Sequence, residues 1–179
     1  MAAPVPATFY AGQRWRAADV NAQIRDNLNW AIAAKTCRAI RSGSQAITTG
    51  GGGDAVLFTN EDFDPLGWHS SSVYPNIIVP DIAGYYHVDA CLEFVANATG
   101  HRRAIISAKT FGAGPFSMAA TSAVGHATIR PMLSVSTVVY MNGSTDYVQL
   151  IAYQDSGGDL NTSVADGFVT SLCVSLIGT

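Results

Sequence analysis

The periodicity of the apolar residues changes once along this chain, near Lys35, and that change constrains the fold more than any other feature. From about Ala17 to Lys35, residues Val20, Ile24, Leu28, Ala31 and Ile32 recur at helical spacing and form one stripe. After Lys35, short alternating runs stand between clusters of Gly, Pro, Asn, Asp and Ser. Strands are predicted at 36–41, 45–48, 56–58, 77–79, 84–96, 103–110, 128–140, 147–154 and 167–177. Turns are predicted at 50–54, 64–67, 97–100, 112–115, 142–145 and 156–159. Some nine strands with no second long helical pattern predict an all-β protein, an antiparallel jelly-roll sandwich. It is preceded by one α-helix and by an arm that Pro4 and Pro6 hold extended.

Composition decides what covers such a sandwich. Charged residues make up 13% of the 179 and hydrophobic residues 48%, against roughly 25% charged in an ordinary soluble domain. That much apolar side chain excludes a disordered chain, and so few charges leave a surface that is either rich in hydroxyls and amides or covered by partners. Two strands show their faces. Tyr86, Val88, Ala90, Leu92 and Phe94 alternate with His87, Asp89, Cys91, Glu93 and Val95. In the last strand, Phe168, Thr170, Leu172, Val174 and Leu176 alternate with Val169, Ser171, Cys173, Ser175 and Ile177. A strand apolar on parts of both faces suits a neighbouring subunit on its second side.

The net charge of −3 hides an asymmetry. Residues 1–41 hold six basic and two acidic groups; residues 42–179 hold four basic and eleven acidic. The expected division is therefore a docking segment at 1–41 and a head at 42–179, with the head folding without the segment. The basic groups are too dilute for a nucleic-acid arm. No secretory leader and no membrane-spanning segment is expected. Cys37, Cys91 and Cys173 are widely spaced and odd in number, which suits a chain made in a reducing cytoplasm. Trp30 projects from nearly the opposite side of the helix to the stripe, at roughly 100° per residue. Two readings stand: Trp30 packs on its own domain, or the stripe self-associates while Trp30 docks on a partner.

Two resemblances add to this. The stretch VLFTNEDFDPLGWHSSSVYPNIIVPDIAGYYHVDACLEFVANATGHRRAIIS resembles the globular head of complement and tumour-necrosis-factor-like proteins. Its marks are Phe63 and Asp64, the I-x-V-P element at 77–80 and the G-Y-Y-x-V-x-A element at 84–90. The segments NGSTDYVQLIAYQDSGG and FVTSLCVSLIGT resemble that family's last two strands, with Ser144, Thr145 and Asp146 standing where Ala-Gly-Asp is common. The resemblance covers about residues 45–179 and implies a homotrimer, with Tyr147, Ile151 and Tyr153 near the three-fold axis. With Val169 and Cys173 of the closing strand, these are the expected trimer-interface residues. The front end, TFYAGQRWRAADVNAQIRDNLNWA, resembles a leader on structural proteins of tailed bacteriophages, especially those of actinobacteria. Phe9, Ala11, Gly12, Gln13, Ala17, Ala18, Asp19 and Asn21 carry that match, and Arg16 replaces a common Thr before the Ala pair. It implies a virion protein made in the host cytoplasm, with Phe9, Trp15, Val20, Ile24, Leu28 and Trp30 as docking residues.

The expected function is structural: a homotrimeric capsid decoration, head-fibre or minor tail protein whose partners are its own copies and capsid or tail proteins. The alternative is a carbohydrate- or receptor-binding module touching a host surface glycan, which a distal patch of aromatic and amide side chains would support. No catalytic constellation is found. Gly50 to Gly53 lacks the Lys-Ser/Thr of a phosphate loop, and there is no G-x-S-x-G elbow. No cofactor is expected. Glu61, Asp62 and Asp64, hard oxygen donors beside Gly67, are weak calcium candidates. His87, Asp89, Cys91 and Glu93 are weaker still, because alternate residues on one strand lie roughly 6.5–7 Å apart. His101, Arg102 and Arg103 read as a solvated strand start.

Overall fold

The apolar stripe does wind into a helix. In the computed structural model, which describes residues 8, 10–12, 14, 16–110 and 112–179, the helical segment runs without a break through α1 (Ala17–Val20), a π-helical stretch (Asn21–Asp26) and α2 (Asn27–Ile32). Arg16 offers no side-chain cap at its start. At its end the Lys35 ammonium donates to the carbonyls of Trp30 and Ala33, satisfying acceptors that the last turn leaves open. The expected extended arm at 3–7 lies outside the described residues.

Thirteen strands follow: β1 (Thr36–Arg41), β2 (Ala46–Ile47), β3 (Asp54–Ala55), β4 (Asn60–Phe63), β5 (His69–Ser70), β6 (Tyr74–Ile78), β7 (Ala83–Glu93), β8 (Asn97–Thr110), β9 (Ala113–His126), β10 (Met132–Asn142), β11 (Tyr147–Gln154), β12 (Leu160–Asn161) and β13 (Thr170–Gly178). They form a jelly-roll sandwich. One sheet has the order β10-β7-β13-β1-β4, the other β5-β6-β11-β8-β9 with β3 on β11, and β12 pairs with β2. The inward residues of both sheets, among them Tyr86, Val88, Leu92, Ile106, Leu150, Leu172 and Val174, are fully buried and form one core.

Three local devices fix this arrangement. Asp64 accepts the backbone N–H groups of Trp68 (2.9 Å) and His69 (2.8 Å), folding the turn that seats Trp68 in the core. There the Trp68 indole N–H donates to Asp81 (2.7 Å) and its ring meets Tyr86 edge-on at 5.6 Å. Gly84, the glycine of the G-Y-Y element, lies where a Cβ would strike the carbonyl oxygen of Gly178, so β7 and β13 approach as closely as they do only with glycine there. At the turn before β11, the Asn142 side chain accepts the N–H groups of Ser144, Thr145 and Asp146. Asp146, fully buried, accepts those of Gly112 and Asn142.

Three features differ from expectation. β1 is hydrogen-bonded between β13 and β4, with Cys37 and Ala39 fully buried, so a division at residue 41 would take a central strand out of the sheet. β1 thus belongs to the five-stranded sheet of the sandwich. β9 was not expected, because its Ala, Ser, Gly and Thr side chains carry almost no alternation and a turn signal stands at its start. The turn expected at 97–100 is instead a bulge inside β8, where Gly100 sits at φ +73° against Asp155.

Candidate assembly interface

Three surfaces of this molecule are candidates for contact with a partner. The first is the outer face of the β10-β7-β13-β1-β4 sheet, whose side chains are mostly small polar or apolar, with Asp89 and Arg38 the charges in its central row. Register places Ser134, Cys91, Ser171 and Ile40 in one row, Ser136, Asp89, Cys173 and Arg38 in the next, then Val138, His87, Ser175 and Thr36. Tyr140 and Tyr85 follow, their rings edge-on at 5.3 Å. Tyr85, Val138 and Ile177 are exposed large apolar side chains at the end of the face nearest the helix. A shallow depression of about 490 Å³ lies further along, lined by Arg38, Asp89, Cys91, Val169 and Cys173.

The second surface is an edge. β9 and β10 are the end strands of the two sheets and lie against one another on the same side of the sandwich. None of the 14 residues of β9 or the 11 of β10 is Asp, Glu, Lys or Arg. No β9 residue is fully buried, and Phe116, Val124 and Met132 stand out from this edge. Natural proteins guard long open edges with charges, prolines or cover; the opposite edge does so, with Glu61 and Asp62 on β4. The third surface is the helix stripe. Ile24, Leu28 and Ile32 are 51%, 56% and 78% exposed, and Val20 is half-buried.

The expected site residues fall on different surfaces. Val169 and Cys173 belong to the outer face of the first sheet. Tyr147, Ile151 and Tyr153 lie half-buried on the outer face of the other sheet, where Tyr153 carries the Arg103 guanidinium at 5.8 Å. The structure does not bring these two groups together. Trp30, read either as packing on its own domain or as docking on a partner, packs against its own head beside Leu66 and Ile82, with the Lys35 ammonium 3.9 Å from its ring centroid. Phe9 and Trp15 lie outside the described residues. The sequence reading missed the β9–β10 edge altogether. Its signal was available: between Lys109 and Asp146 the only charged residue is Arg130.

The calcium candidates do not converge. The Glu61 carboxylate meets His69 Nδ1 at 2.6 Å, Asp62 pairs with Arg38, and Asp64 is spent on the turn N–H groups. Among the described residues, no three His, Cys, Asp or Glu side chains are grouped to hold an ion. Arg102, read as solvated, is fully buried; its guanidinium donates to the carbonyls of Thr99 (3.0 Å), His101 (2.9 Å) and Asn97 (3.3 Å), closing the β8 bulge. Burial pushes the Cys37 thiol far above its usual range, with Asp64, Cys173 and Glu61 adding to the shift, so the group is inert.

At the end of the sandwich away from the helix lies a depression of about 520 Å³ lined by Ser44, Thr128, Arg130, Asn161, Ser163 and Val164, among others. Arg130 there is tied to Asp166 and lies 3.6 Å from Glu93. The lining holds one amide, Asn161, and no aromatic ring.

Among solved structures the chain is similar to a crystal structure of murine APRIL at pH 5.0, at 10% identity and a TM-score of 0.60, covering 80% of this chain and 100% of that one. It is similar also to the structure of Eiger TNF from S. frugiperda, at 11% identity and a TM-score of 0.56, covering 82% and 94%. The fold is a TNF-like jelly roll. No family model matches the chain, and no curated protein matches its sequence.

Proposed function

We propose that this chain is a non-enzymatic structural module that closes a homotrimer and serves in the virion of a tailed bacteriophage, as a capsid decoration, head-fibre or minor tail protein. The observation that carries the trimer is the uncharged β9–β10 edge set beside an outer sheet face of mixed apolar and small polar side chains. A cyclic assembly joins two different patches of each subunit. In a closed three-fold ring the directions from one subunit to its two neighbours differ by about 60°. An edge and an outer face of one sandwich point in different directions, as closure into a ring requires, and the number three follows what the resemblance stated above implies. The two outer faces point in opposite directions and would build an open stack. The edge of one copy therefore packs on the β10-β7-β13-β1-β4 face of the next, and Tyr147, Ile151 and Tyr153 stay outside the contact.

The virion role rests on the leader-like residues Phe9 to Asn21. One feature of the fold supports the reading: the described helix lies at one end of the sandwich, and the loops around Asn161 and Arg130 at the other. The glycan-binding alternative gains no aromatic platform from that distal depression.

Light scattering on the purified full-length chain tests the trimer: the expected mass is three times 18.8 kDa, and a single-chain mass throughout the micromolar range would overturn it. Labelled antibody against the head, imaged on intact particles, tests the location. Its absence from every particle would remove the virion reading while leaving the trimer.

A further inference from the structure

We infer that the exposed stripe Val20, Ile24, Leu28 and Ile32 is covered by the same stripe of the other two copies, so that three helices pack together beneath the heads; this rests on the trimer proposed above. Among the described residues, the helix meets its own head from its other side. There Asp26, Asn29, Trp30 and Ala33 stand over Lys35, Leu66 and Ile82 around a cavity of about 260 Å³. The stripe faces away from that contact and is more than half exposed at Ile24, Leu28 and Ile32. Sixteen residues of helix are marginal in water without a packing partner.

Three observations favour copies of this chain as the occupant. The first is continuity. The helix joins β1 through a short extended link, and Lys35 accepts the N–H of Leu176, so the rod starts beside the Tyr85, Val138 and Ile177 end of the face assigned to the neighbouring copy. One uncharged surface runs from the head into the rod. The second is charge. Asp19 lies 3.9 Å from Arg16, and Asp26 lies 2.9 Å from Arg25. Each acid is balanced on its own helix, so identical rods meet without uncompensated charge. The third is the π stretch. Residues four apart drift by roughly 40° per step on an α-helix, or about 120° from Val20 to Ile32. The wider turn at Asn21–Asp26 takes up part of that drift and keeps the four side chains nearer one line, as a straight seam between rods needs.

The test uses the full-length chain and two readouts, mass and amide hydrogen exchange. In wild type, amides 20–32 should exchange at least about tenfold more slowly than in a free peptide of the same residues. Leu28→Glu should abolish that protection while the mass stays at three chains, because the head interface is untouched. Ala22→Glu, exposed and off the stripe, should change neither. In a Cys91→Ser/Cys173→Ser background, Leu28→Cys should give covalent dimers on mild oxidation. A three-chain particle whose helix amides are unprotected, or in which Leu28→Cys does not cross-link, overturns the helix packing and leaves the trimer standing. Protection that survives Leu28→Glu assigns the helix to its own head and overturns it equally. A single-chain mass for wild type would instead remove the trimer itself.

Discussion

Asp155 shows how much of this fold hangs on single side chains with no part in any interface. Its carboxylate accepts the backbone N–H of His101 and stands against Gly100, locking the β8 bulge onto the end of β11. That backbone hydrogen bond, together with the nearby His101 and Arg102 charges, holds its pKa below the ordinary carboxylate value. A carboxylate with a depressed folded pKa contributes stability above its unfolded pKa and loses it as the pH falls through the folded one. Wild type should therefore melt above Asp155→Asn at about pH 5, with the gap closing toward about pH 3 in scanning calorimetry. A gap independent of pH would mean that shape and not charge anchors the bulge. Arg102 works from beneath the same bulge: its neighbours His101 and Arg103 are exposed, while its own guanidinium is buried under three carbonyls. Nothing in the string His-Arg-Arg distinguishes them, because the bulge that turns Arg102 inward is set by Gly100 and by Asp155, 53 residues away in Arg102's numbering.

Among the elements, those written in alternation were legible and those written in small residues were not. β1 and β11 run over the residues that periodicity predicts, 36–41 and 147–154, because apolar side chains recur at every second position on the face they bury: Cys37 and Ala39 in β1, Val148, Leu150 and Ala152 in β11. β9 buries no side chain fully, so no alternation was imposed on it and only its lack of charge marks it. The helix was legible from its stripe. What the stripe could not reveal is that the head would be served by Trp30 on the other side, since that depends on Leu66 and Ile82 arriving from distant loops. β1 carries the consequence for dissecting the chain. Removing it strips Cys37 and Ala39 from the core and separates β13 from β4. A head starting at Thr36 should be soluble and β-rich by circular dichroism, whereas one starting at Ser42 should be insoluble or unfolded. A folded Ser42 head would show that β4 can close on β13 without it.

For the whole molecule, the two sheets present unlike surfaces, and the proposed trimer uses only one of them. Val138 stands in the exposed row of the first sheet between Ser136 and Tyr140, opposite His87. Val138→Glu puts a carboxylate in a contact that must be dry. Burying a charge without a partner costs about 3 kcal/mol or more, and three copies each bear it. The expected result by light scattering is a single-chain mass with an unchanged β-sheet circular dichroism spectrum. Ile151→Glu, on the outer face of the other sheet, should leave the trimer intact; dissociation by Ile151→Glu and not by Val138→Glu would reverse the assignment of faces.

The order of the strands also sets a sequence of events in time. β8 and β9 are neighbours joined by a tight hairpin, so the β9 half of the edge can form once residue 126 has been made, and β10 completes it at residue 142. The face that receives it cannot, because β13 lies between β7 and β1 and the side chains of Thr36 and Ser175 meet across 139 residues. If the trimer proposed above forms, a chain still on the ribosome has its edge but not yet the face that would receive a neighbour's. It can lend an edge to a finished neighbour but cannot be capped by one, and the long open strand β9 is a hazard for runaway strand addition during that interval. Insertion of β13 (Thr170–Gly178) between β7 and β1 is the step that completes the receiving face and, in the trimer proposed above, lets the chain close a ring.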